Sequence, residues 1–303
     1  METLHSILVW VIAAIVVGET IISVFHDLKS VRTEDSVTNI FLGLISLTIA
    51  FVMKGVTLGI FLNMQHHAFY HFEFTLTSFL LLFIISDFHY YAFHFISHKV
   101  RFFWASHVVH HSSHEYNFSV GIRMPFSTGL YRFIFWTPLA FAGFPAEMVI
   151  LMDSLVVYYT FFLHTESIGK LGWFEKVFNS PSHHRVHHSN NKQYLDKNFG
   201  GVLILWDRIF GTYVTEEEKT SYGLTTGFKS DNPVKITFNE WKNMVTDLKI
   251  ARTVNDVVKI IFGKPGWKPD EKIIRLRKTK FSFAKIAALF FVLLFVLKIL
   301  KEV

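Results

Sequence analysis

Hydrophobic positions along this chain fall into long blocks, with few short alternating runs. Apolar stretches cover residues 4–25, 39–62, 74–95, 130–143, 146–163 and 281–300. A helix needs about 20 apolar residues to cross a hydrocarbon core. The first three stretches and the last therefore predict spanning helices, and 130–163 predicts a helical hairpin that turns at "GFPAE". That makes six membrane segments. After about residue 164 the pattern changes, because Gly, Asn, Asp and most of the charge lie beyond it. Within this polar part, "FNEWKNMVTDLKIARTVNDVVKIIFG" carries apolar residues at helical spacing and predicts amphipathic helix close to the lipid surface. The expected fold is an all-α integral membrane protein, a transmembrane helical bundle with a cytosolic helical cap. Its expected divisions are N-terminal transmembrane helices (1–73), a histidine-bearing region (74–213), a cap with the amphipathic helix (214–280) and a C-terminal transmembrane helix (281–303).

Composition narrows the chemistry. Of 303 residues 51% are hydrophobic, 34 are phenylalanine and none is cysteine, which excludes disulfides, thiolate zinc sites and a cysteine nucleophile. Any metal must be held by imidazole, carboxylate or backbone oxygen. The net charge of +6 could suggest nucleic acid, but the basic residues are placed by topology instead. With the N-terminus outside, the inner segments 27–37, 99–127 and 164–280 hold 2, 3 and 20 of the 30 Lys and Arg, and the outer turns hold none. This is the positive-inside pattern. "EKIIRLRKTK" before the last apolar block adds a basic anchor for the inner leaflet. The first block lacks a basic start and a cleavage site, so it reads as a retained span. The terminal "LKILKEV" has no dilysine retrieval arrangement, which favours a bacterial inner membrane over the endoplasmic reticulum.

Of the 17 histidines, eight lie in three groups: His94 and His98 in "HFISH", His107, His110 and His111 in "HVVHH", and His184, His187 and His188 in "HRVHH". Spacings of three and four place side chains on one helix face. The charge-derived topology brings all three groups, and His164 at the end of the fifth block, to the cytoplasmic face. His5, His26, His66, His67 and His71 read as interfacial residues, His89 as packing and His114 as exposed. Eight imidazoles exceed what one ion takes, so two ions are implied. A closed structural zinc site needs only four ligands. Two redox-active irons could bind dioxygen and abstract hydrogen from an unactivated C–H bond where lipid chains enter. Ligating histidines need acceptors for their second ring N–H, and Asp87, Asp196 and Asp207 are the candidates.

The boxes HX3H, HX2HH and a later HX2HH, with a histidine closing the hairpin between the last two, resemble the fatty acid hydroxylase and sterol desaturase superfamily of membrane di-iron oxygenases. "DKNFGGVLILWDRIFGTY" (196–213) resembles that family's stretch after its last box, which makes 74–213 the catalytic region. "WASHVVHHSSHEYNFSVGIR", "HTESIGKLGWFEKVFNSPSHHRVHHSNN" and "FGKPGWKP" resemble the branch that cleaves ether lipids with tetrahydrobiopterin. The resemblance implies ten metal ligands, the eight box histidines with His164 and His183, although His183 lies off the face shared by 184, 187 and 188. It implies two iron ions (Fe2+/Fe3+), O2 as co-substrate and a lipid substrate drawn from the bilayer. Lys99 stands where the ether-cleaving branch has an acidic residue, which favours an external donor, a separate electron-transfer protein or a small reductant, over the pterin. The expected activity is oxidoreductase: a lipid hydroxylase or monooxygenase, with ether cleavage as one version. Desaturation is the alternative within the superfamily and metal transport the remote one.

Overall fold

The computed structural model describes residues 2–26 and 31–269, and every one of its regular elements is helical. The only strand-like pairing among them is a single bridge between Phe178 and Leu203. The apolar block expected at 281–300 and its basic anchor lie outside the described residues.

Three long helices come first: α1 (Glu2–His26), α2 (Thr33–His66) and α3 (Leu76–Lys99). Helices α2 and α3 are long and apolar enough to cross a membrane, and α1 carries the apolar segment Trp10–Ile22. Leu44, Phe51, Val52 and Val56 on α2 and Leu76, Leu80 and Ile84 on α3 are exposed, the surface that lipid would cover. The hairpin at 130–163 forms, but as α6 (Arg132–Phe141) and α7 (Ala146–Phe161) it is only 10 and 16 residues long. At 1.5 Å per residue these reach about 15 and 24 Å, short of a core of about 30 Å. Two of the six expected spans are therefore too short to cross unaided. They pack on α2 and α3 around Leu82, Phe93, Trp136, Leu139, Met148 and Met152. Arg132 in this hairpin is paired with Asp153 at 2.7 Å and lies over Trp136 at 4.5 Å, the partnering a charge needs at such depth.

The chain reverses at Val100, an extended residue that both ends α3 and caps α4 (Arg101–His111). The short α5 (Phe118–Gly121) follows, capped by Asn117. In the polar half, α8 (Pro181–His188) starts with Ser180 accepting from the His183 N–H and with proline at the first turn, a pairing worth about 1 kcal/mol. All eight residues of α8 are buried although most are polar. A helix of this kind has no lipid or water face to satisfy, so its side chains must be answered from inside.

After α9 (Leu205–Phe210), the predicted amphipathic stretch is two helices, α10 (Pro233–Ile250) and α11 (Val254–Phe262). The break is made by Thr253, whose side chain and that of Asp256 form a capping box. Arg101, 2% exposed, ties α4 to this pair: Nε meets Glu240 and Nη2 meets Asp247, both at 2.7 Å.

Candidate metal centre

Nine of the ten sequence-predicted histidines converge in two buried groups. His94, His98, His107, His111 and His187 form the first, and His110, His164, His184 and His188 form the second; within each, the offered ring nitrogens all lie within 4.8 Å of one another. The one-turn spacing of His94 and His98 and of His107 and His111 aims both pairs across the bend at Val100 into the first group. The extra histidine at i+3, His110, turns to the second. Helix α8 divides the same way, with His187 in the first group and His184 and His188 in the second.

Ring-nitrogen distances decide what the groups can do. In the first, Nε2 of His111 lies 3.1 Å from His98, 3.1 Å from His107 and 3.2 Å from His187, and Nε2 of His94 lies 3.1 Å from His107. In the second, Nε2 of His164 lies 3.2 Å from His110 and 3.1 Å from His184. Several of these rings already donate from Nδ1: His94 to the Phe199 carbonyl (2.9 Å), His187 to Lys197 (2.9 Å), His110 to Arg123 (3.2 Å) and His164 to Thr160 (2.9 Å). A neutral imidazole with hydrogen on Nδ1 presents a lone pair on Nε2. Between His110 and His164, where both Nδ1 atoms donate, the facing Nε2 atoms bring lone pair against lone pair, an arrangement that a bound cation relieves. Two ligands held at about 2.1 Å and at right angles stand about 3.0 Å apart, which the observed spacings fit.

Burial keeps these imidazoles neutral. It pushes His107, His110, His111, His184, His187 and His188 well below the usual histidine range, helped by the neighbouring rings, and takes His164 down to about 4. Neutral imidazole is the ligating form.

The three predicted carboxylates have other roles. Asp196 comes nearest to the expectation: Oδ1 lies 3.4 Å from Nδ1 of His98, while Oδ2 binds Lys99 at 2.5 Å. Lys99 is therefore occupied by Asp196. Asp87 takes no histidine hydrogen. Its oxygens accept from the backbone of Val202 (2.7 Å) and Leu203 (3.1 Å) and from the Trp206 indole (2.9 Å). Asp207 accepts from the Phe199 and Gly200 backbone and from Thr212. Both aspartates brace the 199–203 loop whose Phe199 carbonyl holds His94, so they act one bond removed from the ring. A Cβ on Gly200 would stand 2.5 Å from the Leu203 carbonyl, and one on Gly201 would stand 2.8 Å from Asp87. Only glycine lets this loop close on its carboxylates.

His183 is the tenth predicted ligand and joins neither group. It is 1% exposed, packs edge-on against Tyr213 at 5.4 Å, and neither ring nitrogen has a hydrogen-bond partner among the described residues. His183 stands one turn before His187, so helical spacing does not separate them; the packing on Tyr213 does. The acceptors that sequence reading missed are backbone carbonyls of Phe199, Lys197, Arg123 and Thr160, which have no residue-type signature. Arg123 had a signal in "GIRMP": it is 0% exposed and donates to the Val109 carbonyl, Asn39, Ser112 and Asp35 while its own carbonyl holds His110. Asp196 and Asn198, both left-handed at φ 58° and 54°, flank Lys197 and turn its carbonyl to His187. Such backbone is uncommon outside glycine and is tolerated best by Asn and Asp.

Two cavities reach the histidines. One of about 620 Å³ meets His98, His111, His187 and His188 and is walled by Trp104, Asn239, Asn243 and Asp247. The other, about 40 Å³, touches both groups at once through His94, His107, His110, His164 and His184, and is otherwise lined by Tyr90, Phe93, Met124, Val157 and others. The first has the volume of a small-molecule site. The second holds one or two molecules the size of water or dioxygen.

Residues 79–212, the segment that carries every one of these histidines, match the fatty acid hydroxylase family. Among curated proteins, the chain is 40% identical to alkylglycerol monooxygenase of Homo sapiens over 183 residues, 60% of this chain and 41% of that protein. It is 32% identical to alkylglycerol monooxygenase of Danio rerio over 246 residues, 80% of this chain and 55% of that one. It is 26% identical to an ornithine lipid hydroxylase of Rhizobium tropici over 138 residues, 43% and 40% of the two chains. The chain thus spans about half the length, or less, of the relatives it matches. No solved structure matches it. The resemblance read from the histidine boxes is met by these relatives.

Proposed function

We propose that this fatty acid hydroxylase-like chain is a membrane-bound, dioxygen-dependent lipid monooxygenase whose two histidine groups each hold one iron ion. The observation that carries this reading is the pair of buried imidazole groups with facing ring nitrogens, joined by a dioxygen-sized cavity. Bound iron would supply activation of dioxygen and abstraction of hydrogen from an unactivated C–H bond. The chain's own residues hold the rest. Carbonyls and Asp196 fix the ring orientations, burial excludes water, and the larger cavity receives the reacting end of the lipid. Monooxygenation consumes O2, two electrons and two protons, and places one oxygen in the C–H bond and the other in water. The electrons come from a separate protein or a small reductant, and the placement of the histidines on the cytoplasmic side follows from the charge distribution.

The relatives named alkylglycerol monooxygenase support an ether-lipid version. Hydroxylation of the carbon beside the ether oxygen gives a hemiacetal, which collapses to an aldehyde and a free glycerol. Polar walls on the larger cavity suit a substrate whose reacting carbon adjoins a polar head. The test is to load the purified protein with iron, supply reductant, O2 and either an alkylglycerol or a fatty acyl lipid, and analyse products by mass spectrometry. Aldehyde from the alkylglycerol supports ether cleavage, and a gain of one oxygen on the acyl lipid supports hydroxylation. Loss of two hydrogens would replace monooxygenation by desaturation. No oxygen uptake with two irons bound would end the reading.

A further inference from the structure

The second histidine group has an aromatic exit that the proposed reaction does not use. Tyr116 is 1% exposed, and its ring lies 5.2 Å from that of His188 and 5.7 Å from that of His164. On its other side it stacks on Tyr222 at 4.8 Å, with only 12° between the planes. The two hydroxyls differ in what they can do with a proton. Tyr116 donates to the Leu163 carbonyl at 3.1 Å, a group that cannot take the proton away. Tyr222 donates to the Glu166 carboxylate at 3.1 Å and also meets Thr220 at 2.8 Å. Tyr222 is half-buried and its carboxylate partner is exposed.

We infer that Tyr116 and Tyr222 form a relay that drains oxidising equivalents from the second histidine group when no lipid is bound. The inference rests on reading that group as a site of dioxygen activation. A phenol gives up an electron far more readily once its proton has somewhere to go. Oxidation at Tyr116 therefore passes on across the stacked rings, while oxidation at Tyr222 comes to rest. One electron leaves Tyr222 through Tyr116 and reduces the dioxygen-derived oxidant by one equivalent. The Tyr222 O–H proton moves to Glu166, and a neutral tyrosyl radical remains near the surface. A one-electron reductant in solution, such as a thiol, restores Tyr222 as the proton returns. The direction is outward because tyrosine is too weak a reductant to feed resting iron from an ordinary donor. Among the described residues the first group has no such stacked tyrosine pair; its aromatic neighbours include Tyr90, 5.5 Å from His94 and edge-on to it, and Trp104, 5.1 Å from His98, which faces the large cavity.

The experiment uses the full chain, loaded with iron, reduced, and mixed with O2 without lipid; samples are freeze-quenched for electron paramagnetic resonance while iron content and oxygen uptake are measured in parallel. The expected result is a tyrosyl signal that Tyr222→Phe abolishes, with iron content, oxygen uptake and the initial rate on lipid unchanged. Glu166→Gln should shorten the life of the signal. Tyr222→Phe should also inactivate several-fold faster when oxygen is consumed without lipid. Oxygen uptake with no tyrosyl signal, or a signal that survives Tyr222→Phe, overturns the relay and leaves the monooxygenase reading standing. Two bound irons with no oxygen uptake overturn that reading, and the relay falls with it.

Discussion

The two histidine groups are built from the same helices yet differ in number and surroundings. The first has five imidazoles, lies against the large polar cavity, and is steadied by the 196–199 loop through Lys197, Phe199 and Asp196. The second has four, of which only His188 reaches that cavity, and is steadied by the Thr160 carbonyl of α7 and by the Arg123 carbonyl. If each group held one iron with up to six ligands, five imidazoles would leave one position and four would leave two. On the proposed reading, that difference would suit the first group to holding and the second to exchange of small molecules.

The strongest way to break this comparison is to remove both groups together. His187→Ala with His188→Ala takes one imidazole from each, and metal analysis should fall from two irons per chain to none, with activity below detection; two retained irons would refute the assignment. Single variants should then separate the groups. His184→Ala leaves three ligands and His98→Ala leaves four, so His184→Ala should lose its iron at lower chelator concentration, and the reverse order would sink the contrast. Asp207→Asn loosens the loop behind Phe199 without touching a ring, and should weaken iron retention in the first group about 10–100-fold, read as a shift in chelator titration.

Acid gives a graded test. Burial lowers the folded-state values of these histidines, His164 to about 4, while the unfolded value is near 6.5. The unfolded chain therefore binds more protons between those limits, and stability present above pH 6.5 is lost as pH falls toward 4. The slope is about 1.4 kcal/mol per pH unit for each such histidine. The metal-free protein in detergent should show a falling Tm from pH 7 to pH 5, and a flat profile would show the rings charged or exposed. The smallest expected effect is His183→Leu. The ring is buried without hydrogen bonds, so an apolar replacement should change stability by about 1 kcal/mol or less and leave both irons in place; loss of an iron would restore His183 to the ligand set.

Histidine spacing made eight of the nine clustered histidines legible, because i, i+3 and i+4 positions fix a common face whatever the tertiary structure; His164, alone in its segment, came from the family resemblance. His183 stands one turn before His187, so the rule does not set it off their face as expected; its ring is kept out of both groups by packing against Tyr213. Sequence could not show which carbonyls would take the ring hydrogens, since every residue has one. Asp87 and Asp207 were recognisable as out of place in apolar surroundings, but a buried carboxylate satisfied by backbone N–H looks the same in sequence as one satisfied by imidazole. The hairpin helices fall short because their apolar runs, 130–143 and 146–163, are themselves shorter than the about 20 residues a span needs, a limit hydropathy does register. The break before α11 was readable in "TVND", a capping-box pattern.

The ligands of the first group come from residues 94 to 187, so no segment of the nascent chain can gather an iron before α8 has arrived. Until then, only the six rings that precede α8 have been made, and neither group is complete. On the proposed reading, iron would stabilise only the finished arrangement, which would make metal supply a quality-control checkpoint. Cells short of iron should accumulate this chain in a form open to proteolysis, and its cellular half-life should lengthen as iron is restored.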